Sequence, residues 1–179
     1  MKILNVTLTT RLGGLEQAFL DYNEALKITY NDVISIIHKS SPIEKLIKGQ
    51  FYQINIFSKY DPFALFKLKQ ILAEQTPDLI ITHGNRAHYT MSKIHGSIPV
   101  IGVCHTYSFE QIKHCDYIIS VNKDMRNCLL NLGYNPNKIF YIPNMIRLPE
   151  SLSYNRTALQ QPLIIGLIGL KKLKEWIFL

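Results

Sequence analysis

The chain has 179 residues, 47% of them apolar and 18% charged, and a formal net charge of +7. That length suits one domain with a real core and is marginal for two, and the even spread of residue classes excludes a disordered or fibrous protein. No lysine stripe or recognition motif accompanies the basic charge, which argues against nucleic acid as a partner and leaves room for attraction to acidic lipid headgroups.

Short runs rich in Ile and Val alternate with stretches of helical period, the mark of βαβ units around a parallel sheet. KILNVTL (2–8) is the first predicted strand. A glycine turn follows, then a helix from near Gly14 with Leu15, Ala18, Phe19, Tyr22 and Leu26 on one face. DVISIIH (32–38), a short helical piece around 43–47 and YQINIF (52–57) come next. Asp61-Pro62 opens a helix over 62–75 as N-cap and first residue, with Ala64, Leu68, Ile71 and Leu72 turned inward. PDLIITHG (77–84) and PVIGVCHT (99–106) are apolar strands ending on His83 and His105, with a helix between them reaching His95 and Gly96. YIISVN (117–122), a helix over 123–132 stopped by Gly133, and KIFYIPN (138–144) complete the series. Near-continuous apolar strands of this kind suit a sheet covered on both faces, so the expected fold is a Rossmann-like three-layer α/β/α domain with a mostly parallel sheet. The texture then changes: Pro149 to Pro162 is polar and aperiodic, and 163–170 restart a βα pattern. The division expected is a domain over 1–148, a linker over 149–162, and the first strand and turn of a further unit over 163–179.

No stretch reaches the roughly 18 apolar residues of a membrane span, and the apolar run in MKILNVTLTTRLGG is too short for the core of a signal peptide. A cytoplasmic protein is expected, with peripheral contact at the inner membrane face as an option. Cys104, Cys115 and Cys128 lack CxxC spacing, which fits a reducing compartment. His105 and His114 stand beside two of them, but without paired short spacings a metal site is not expected.

In an open parallel sheet, ligands gather at the carboxyl ends of the strands. There the sequence places TTRLGG, HGNR (83–86), HTYS (105–108) and Asn122-Lys123. Gly13 and Gly14 make a turn into a helix, where bare backbone amides and the helix N-terminus suit an anion; the pattern is neither GxGxxG nor a Walker loop, and it equally suits a plain tight turn. His83 and His105 end strands expected to be neighbours, and Thr106, Tyr107 and Ser108 add hydroxyls beside His105. Asn85 and Arg86 could bind an oxyanion or sugar hydroxyls, or cap the following helix. His38, His88, His95 and His114 read as surface or packing residues, and Asp78 and Asp116 as turn residues before strands.

The order of these pieces resembles the N-terminal domain of GT-B glycosyltransferases, the retaining group called family 4. KILNV, GGLEQAFLDYNEAL, PDLIITHGNRA, PVIGVCHTY and above all CDYIISVNKDMRNCLLNLGYNPNKIFYIPNMI (115–146) carry the resemblance, which covers residues 1–150. It implies transfer of a sugar from a nucleotide diphosphate donor to an acceptor hydroxyl of a cell-envelope glycan or glycolipid, with the donor as substrate and no metal or cofactor. By this resemblance His105 faces the transferred sugar in a catalytic position, Gly13 and Gly14 approach the donor diphosphate or acceptor, and His83, Asn85, Arg86 and Thr106 belong to substrate-binding loops. PLIIGLIGLKKLKE looks like the start of the family's donor-binding second domain, with Lys171 or Lys172 echoing its basic residue. The expectation is therefore a truncated transferase, inactive unless a separately encoded second domain complements it. The alternative is a non-catalytic module that binds a glycan or a partner protein. One departure from the family is visible: Met145 replaces the glycine of the exit motif, so any left-handed position there falls on Asn144 or is lost.

Overall fold

The seven apolar runs expected as strands between residues 2 and 144 all pair, and every pairing is parallel. The computed structural model describes residues 1–30 and 32–145. In it β1 (Lys2–Thr7), β2 (Asp32–His38), β3 (Phe51–Ile54), β4 (Leu79–His83), β5 (Val100–Cys104), β6 (Tyr117–Ser120) and β7 (Ile139–Tyr141) form one sheet in the order β3-β2-β1-β4-β5-β6-β7. Helices α1 (Gly14–Thr29), α2 (Pro62–Gln75), α3 (Asn85–Ile94) and α4 (Lys123–Asn131) connect them. This is the Rossmann-like α/β/α architecture that the sequence pattern predicts. The expected linker and restarted unit, 149–179, lie outside the described residues.

Strand order decides where the helices go. From β1 the chain steps to β2 and β3 on one side, then returns across the sheet to β4 and steps the other way. Right-handed crossovers therefore put the first connections on one face and the later ones on the other. The packing follows this rule. Phe19, Leu20 and Tyr22 of α1 pack with Ile43 against Ile3, Val33, Ile37 and Ile81. On the opposite face Leu68 and Ile71 of α2 and Ala87 and Met91 of α3 pack on Leu4, Val6, Ile36 and Ile80, while Met125 and Leu129 of α4 pack on Ile118 and Ile139.

Local signals fix several boundaries. Asp61 Oδ1 accepts from the N–H groups of Phe63 and Ala64 at 3.1 and 3.2 Å, so α2 starts where the Asp-Pro pair placed it. It ends on Thr76, whose φ of 43° is the only positive value among the described non-glycine residues; Asn144 is accordingly not left-handed. Gly133, at φ 83°, follows α4. β3 is shorter than expected, stopping at Ile54 rather than continuing to residue 57. It ends opposite His38, the last residue of its ladder partner β2, and beyond it the carbonyl of Ile56 accepts from the side chains of His38 and Arg86, at 3.2 and 3.4 Å. Asp78 and Asp116 accept from the N–H groups of Lys2 and Val100, at 2.7 and 2.9 Å, and tie the amino ends of strands as turn residues.

Candidate functional site

β1 and β4 lie side by side although the chain leaves them in opposite directions. At their carboxyl ends the two connections diverge and open a crevice, the usual ligand position in such sheets. The loops after β1, β4 and β5 line it as two adjoining clefts, of about 500 and 400 Å³, which share Thr9, Arg11 and Leu15 as walls.

The larger cleft holds Gly13 and Gly14. Gly13 is the N-cap of α1 in an extended conformation, with no side-chain cap, and a Cβ on Gly14 would meet nothing within 4 Å. The first-turn amides of α1 carry the partial positive charge of a 16-residue helix, and Glu16 of that turn lies beside them, its Oε2 3.4 Å from where a Cβ on Gly13 would stand. Arg86 lines the same cleft, but its guanidinium also donates to the carbonyls of Leu8 and Ile56 at 3.3 and 3.4 Å, fixing the ends of two loops. Glu16 lies in this wall at 4% exposure and accepts a hydrogen bond from the Thr9 hydroxyl.

The smaller cleft holds His105, Thr106, Asn85 and Ser108. Pairing sets Thr7 opposite His83 and His83 opposite Val103, so His105, two residues further, rises just above His83 on the same side of the sheet. Nδ1 of His83 and Nε2 of His105 are 3.0 Å apart. Burial holds both rings neutral: His83 titrates well below the usual range, lowered further by His105 and His88, and His105 is lowered to about 4. Asn85 Nδ2 donates to Ser108 Oγ at 3.0 Å, joining the β4 and β5 loops. Thr106 is exposed on the rim, and its carbonyl accepts from Cys104 Sγ at 3.2 Å. Gly84, at φ 86°, makes the turn between His83 and α3, and a Cβ there would stand 3.1 Å from Leu15 Cδ1.

Six of the seven site residues expected from sequence thus line the two clefts: Gly13, Gly14, Asn85, Arg86, His105 and Thr106. His83 lies beneath, fully buried, and reaches the cleft only through His105. Asn122 does not join them, because its Oδ1 caps α4 by accepting from the Met125 N–H at 2.7 Å. Two wall residues escaped the sequence reading. Glu16 looks like a solvent-facing first-turn acid, and only its tertiary partner Thr9 shows otherwise. His88 is 2% exposed, sits 2.8 Å from the Thr82 hydroxyl, and is lowered by burial to about 3; its position one turn inside α3 is the signal that could have placed it. The thiols of Cys104 and Cys115 are pushed up by burial to about 11 and 12 and are poor nucleophiles. Among the described residues no group of three or more His, Cys, Asp or Glu could hold a metal ion. What the rim offers chemically is hydrogen-bond donors and hydroxyls facing open space, suited to an oxygen-rich or anionic ligand.

The family model described as Glycosyltransferase Family 4 matches residues 12–149. The chain belongs to this family. Its described residues form the N-terminal domain of the GT-B architecture. No curated protein matches the chain. Among solved structures, Alr3699/HepE of Anabaena, in complex with UDP, is similar with a TM-score of 0.66 at 14% identity, over 82% of this chain and 44% of that one. The lipopolysaccharide outer core galactosyltransferase WaaB gives 0.66 at 15% identity over 84% and 47%. UDP-GlcNAc 2-epimerase of Methanocaldococcus jannaschii gives 0.62 at 21% over 80% and 46%. These likenesses establish the shared fold. The chain spans less than half the length of each of them.

Proposed function

We propose that this domain is the acceptor-side half of a transferase that moves a sugar from a nucleotide-sugar to a hydroxyl of a cell-envelope glycan or glycolipid. Residues 1–148 are the acceptor-side domain in this reading, 149–162 the linker, and 163–179 the opening of a donor-side domain. The observation that carries it is the convergence of the loops after β1, β4 and β5 on the crevice beside β1 and β4, within a family 4 chain. UDP or UDP-sugars in complexes of proteins with this fold support a nucleotide-sugar as donor. In this reading His105 faces the transferred sugar, the amides at Gly13 and Gly14 face an anionic or hydroxyl-rich group, and Asn85, Arg86 and Thr106 shape the acceptor side. Much of the charge stabilisation in such a transfer falls to the donor-side half, so residues 1–179 by themselves turn over no donor.

The test is transfer or donor hydrolysis by the 179-residue chain alone and mixed with donor-side domains of family 4 supplied separately. Turnover only in a mixture, lost in His105→Ala, is the expected result. Turnover by the chain alone overturns the inactivity, and a mixture indifferent to His105→Ala overturns the site. Acceptor binding by calorimetry with no turnover in any mixture supports the other reading, a glycan-binding module.

The proposal also places the domain at the inner membrane face. None of the described helices is long and apolar enough to cross a membrane. Phe57, Phe63 and Phe66 are 82%, 86% and 65% exposed, beside Lys59 whose Nζ lies over the Tyr60 and Tyr89 rings at 5.1 and 4.8 Å. Aromatic and basic groups together suit an anionic lipid interface. Co-sedimentation with vesicles rich in anionic lipid is expected for the wild type and lost when Phe63 and Phe66 are both replaced by Ser; sedimentation unchanged by that pair refutes the surface.

A further inference from the structure

His83 is a polar ring in an apolar box. It is fully buried, with the Phe19 and Tyr22 rings set at steep angles to it and centroids 5.5 and 5.0 Å away. Its Nε2 is buried with no hydrogen-bond partner. Its Nδ1 faces Nε2 of His105, and those two nitrogens, at 3.0 Å, are far closer than the ring centroids at 5.3 Å. The bond therefore runs between ring edges, with the rings only 20° from parallel.

A neutral imidazole carries one N–H and one bare nitrogen, so two arrangements satisfy this contact. If His105 donated through Nε2, His83 would accept on Nδ1 and carry its own proton on Nε2, leaving an N–H buried without an acceptor. If His83 donates through Nδ1, its Nε2 is a bare lone pair, and His105 accepts on Nε2 and must carry its proton on Nδ1. Orphaned buried N–H groups are the rarer and costlier of the two defects, and the faces of aromatic rings are only weak acceptors. Burial keeps both rings neutral, which removes the doubly protonated alternative.

We infer that His83 is a positioning residue: its Nδ1–H fixes His105 as the Nδ1–H tautomer, so that His105 presents the cleft with a hydrogen-bond donor and not with a base. Its consequence for sugar transfer rests on the reading given above. There, the Nδ1–H of His105 would bind an oxygen of the ligand, a hydroxyl or a phosphoryl oxygen, and His105 would take no proton from the acceptor. The tautomer itself is independent of that reading, because it is set by two rings and one buried pocket.

The experiment is long-range ¹⁵N–¹H NMR of imidazole-labelled protein, the whole 179-residue chain at neutral pH, which reads which nitrogen of each ring bears the proton. Nδ1–H is expected on both His83 and His105. His83→Asn, whose side-chain amide can place an N–H close to the position of Nδ1, is expected to keep His105 in that form, and His83→Leu to release it into a mixture. Nε2–H on His105 in the wild type overturns the inference, and so does an unchanged tautomer in a folded His83→Leu protein. If His83→Leu does not fold, the wild-type spectrum and His83→Asn still decide the question. A wild-type Nδ1–H spectrum alongside failure of every transfer assay would reject the proposed activity and leave the tautomer standing. Turnover with Nε2–H on His105 would do the reverse.

Discussion

His83, His88 and His105 are all held neutral by burial, and this has a consequence for stability. Each has a folded-state pKa below its unfolded value near 6.5: about 3 for His88, about 4 for His105, and well below the usual range for His83. In the unfolded chain all three take up a proton as pH falls through 6.5, while in the folded chain they do not. Their contribution is therefore fully present above pH 6.5 and is lost progressively from there down to about 4 and below. Each proton taken up on unfolding adds a slope of about 1.4 kcal/mol per pH unit. Urea midpoints measured between pH 7 and 4.5 should fall steeply, and His88→Gln should flatten the fall; a midpoint level across that range would contradict the buried, neutral assignment. Gly102 is held to glycine by its neighbours. A Cβ there would stand 2.6 Å from Ile112 Cγ1 and 2.9 Å from Cys115 Sγ, and Ile112 is itself buried in the core. Gly102→Ala should cost about 1–3 kcal/mol as an overpacked core does, read as a lower urea midpoint. The sequence revealed the two strand-end histidines because apolar runs point to their own ends. It concealed Glu16 and the need for glycine at 102, since both depend on partners seven or more residues away.

Elements were most legible where local chemistry and tertiary packing agree. α2 has an Asp-Pro start, an apolar face at helical spacing and side-chain bonds from Asp61, and its ends lie where the sequence placed them. β3 and β7 were less legible: expected to reach residues 57 and 144, they stop at Ile54 and Tyr141, and past β3 the Ile56 carbonyl accepts from His38 and Arg86, residues distant in sequence. Loop termini carry the same lesson for function. Asn122 stands at a strand's carboxyl end, where a ligand residue is plausible from sequence, yet its side chain is committed to the first turn of α4. Asn122→Ala should accordingly cost about 1 kcal/mol of stability and leave ligand binding at the His105 cleft unchanged. Equilibrium unfolding read beside calorimetry separates the two, and a binding defect without a stability loss would return Asn122 to the site.

At the scale of the molecule, the sheet order explains both the fold and the crevice, since the same reversal at β1 and β4 sends helices to both faces and parts the loops. Residues from Met1 to Met145 form one compact unit. All four apolar clusters are built within it, and they join every strand of the sheet to a helix or to the 43–47 segment. A chain of about 150 residues buries close to 70% of its unfolded surface, enough for a core that stands alone. A protein ending at residue 148 should therefore fold by itself and unfold in urea in one cooperative transition. Far-UV and near-UV signals should move together, at a midpoint close to that of residues 1–179. The proposed partition at 148 depends on this outcome. Two separated transitions, or loss of near-UV signal with helix retained, would mean that the core is completed by residues beyond 148, and the boundary between an acceptor-side domain and its linker would have to move.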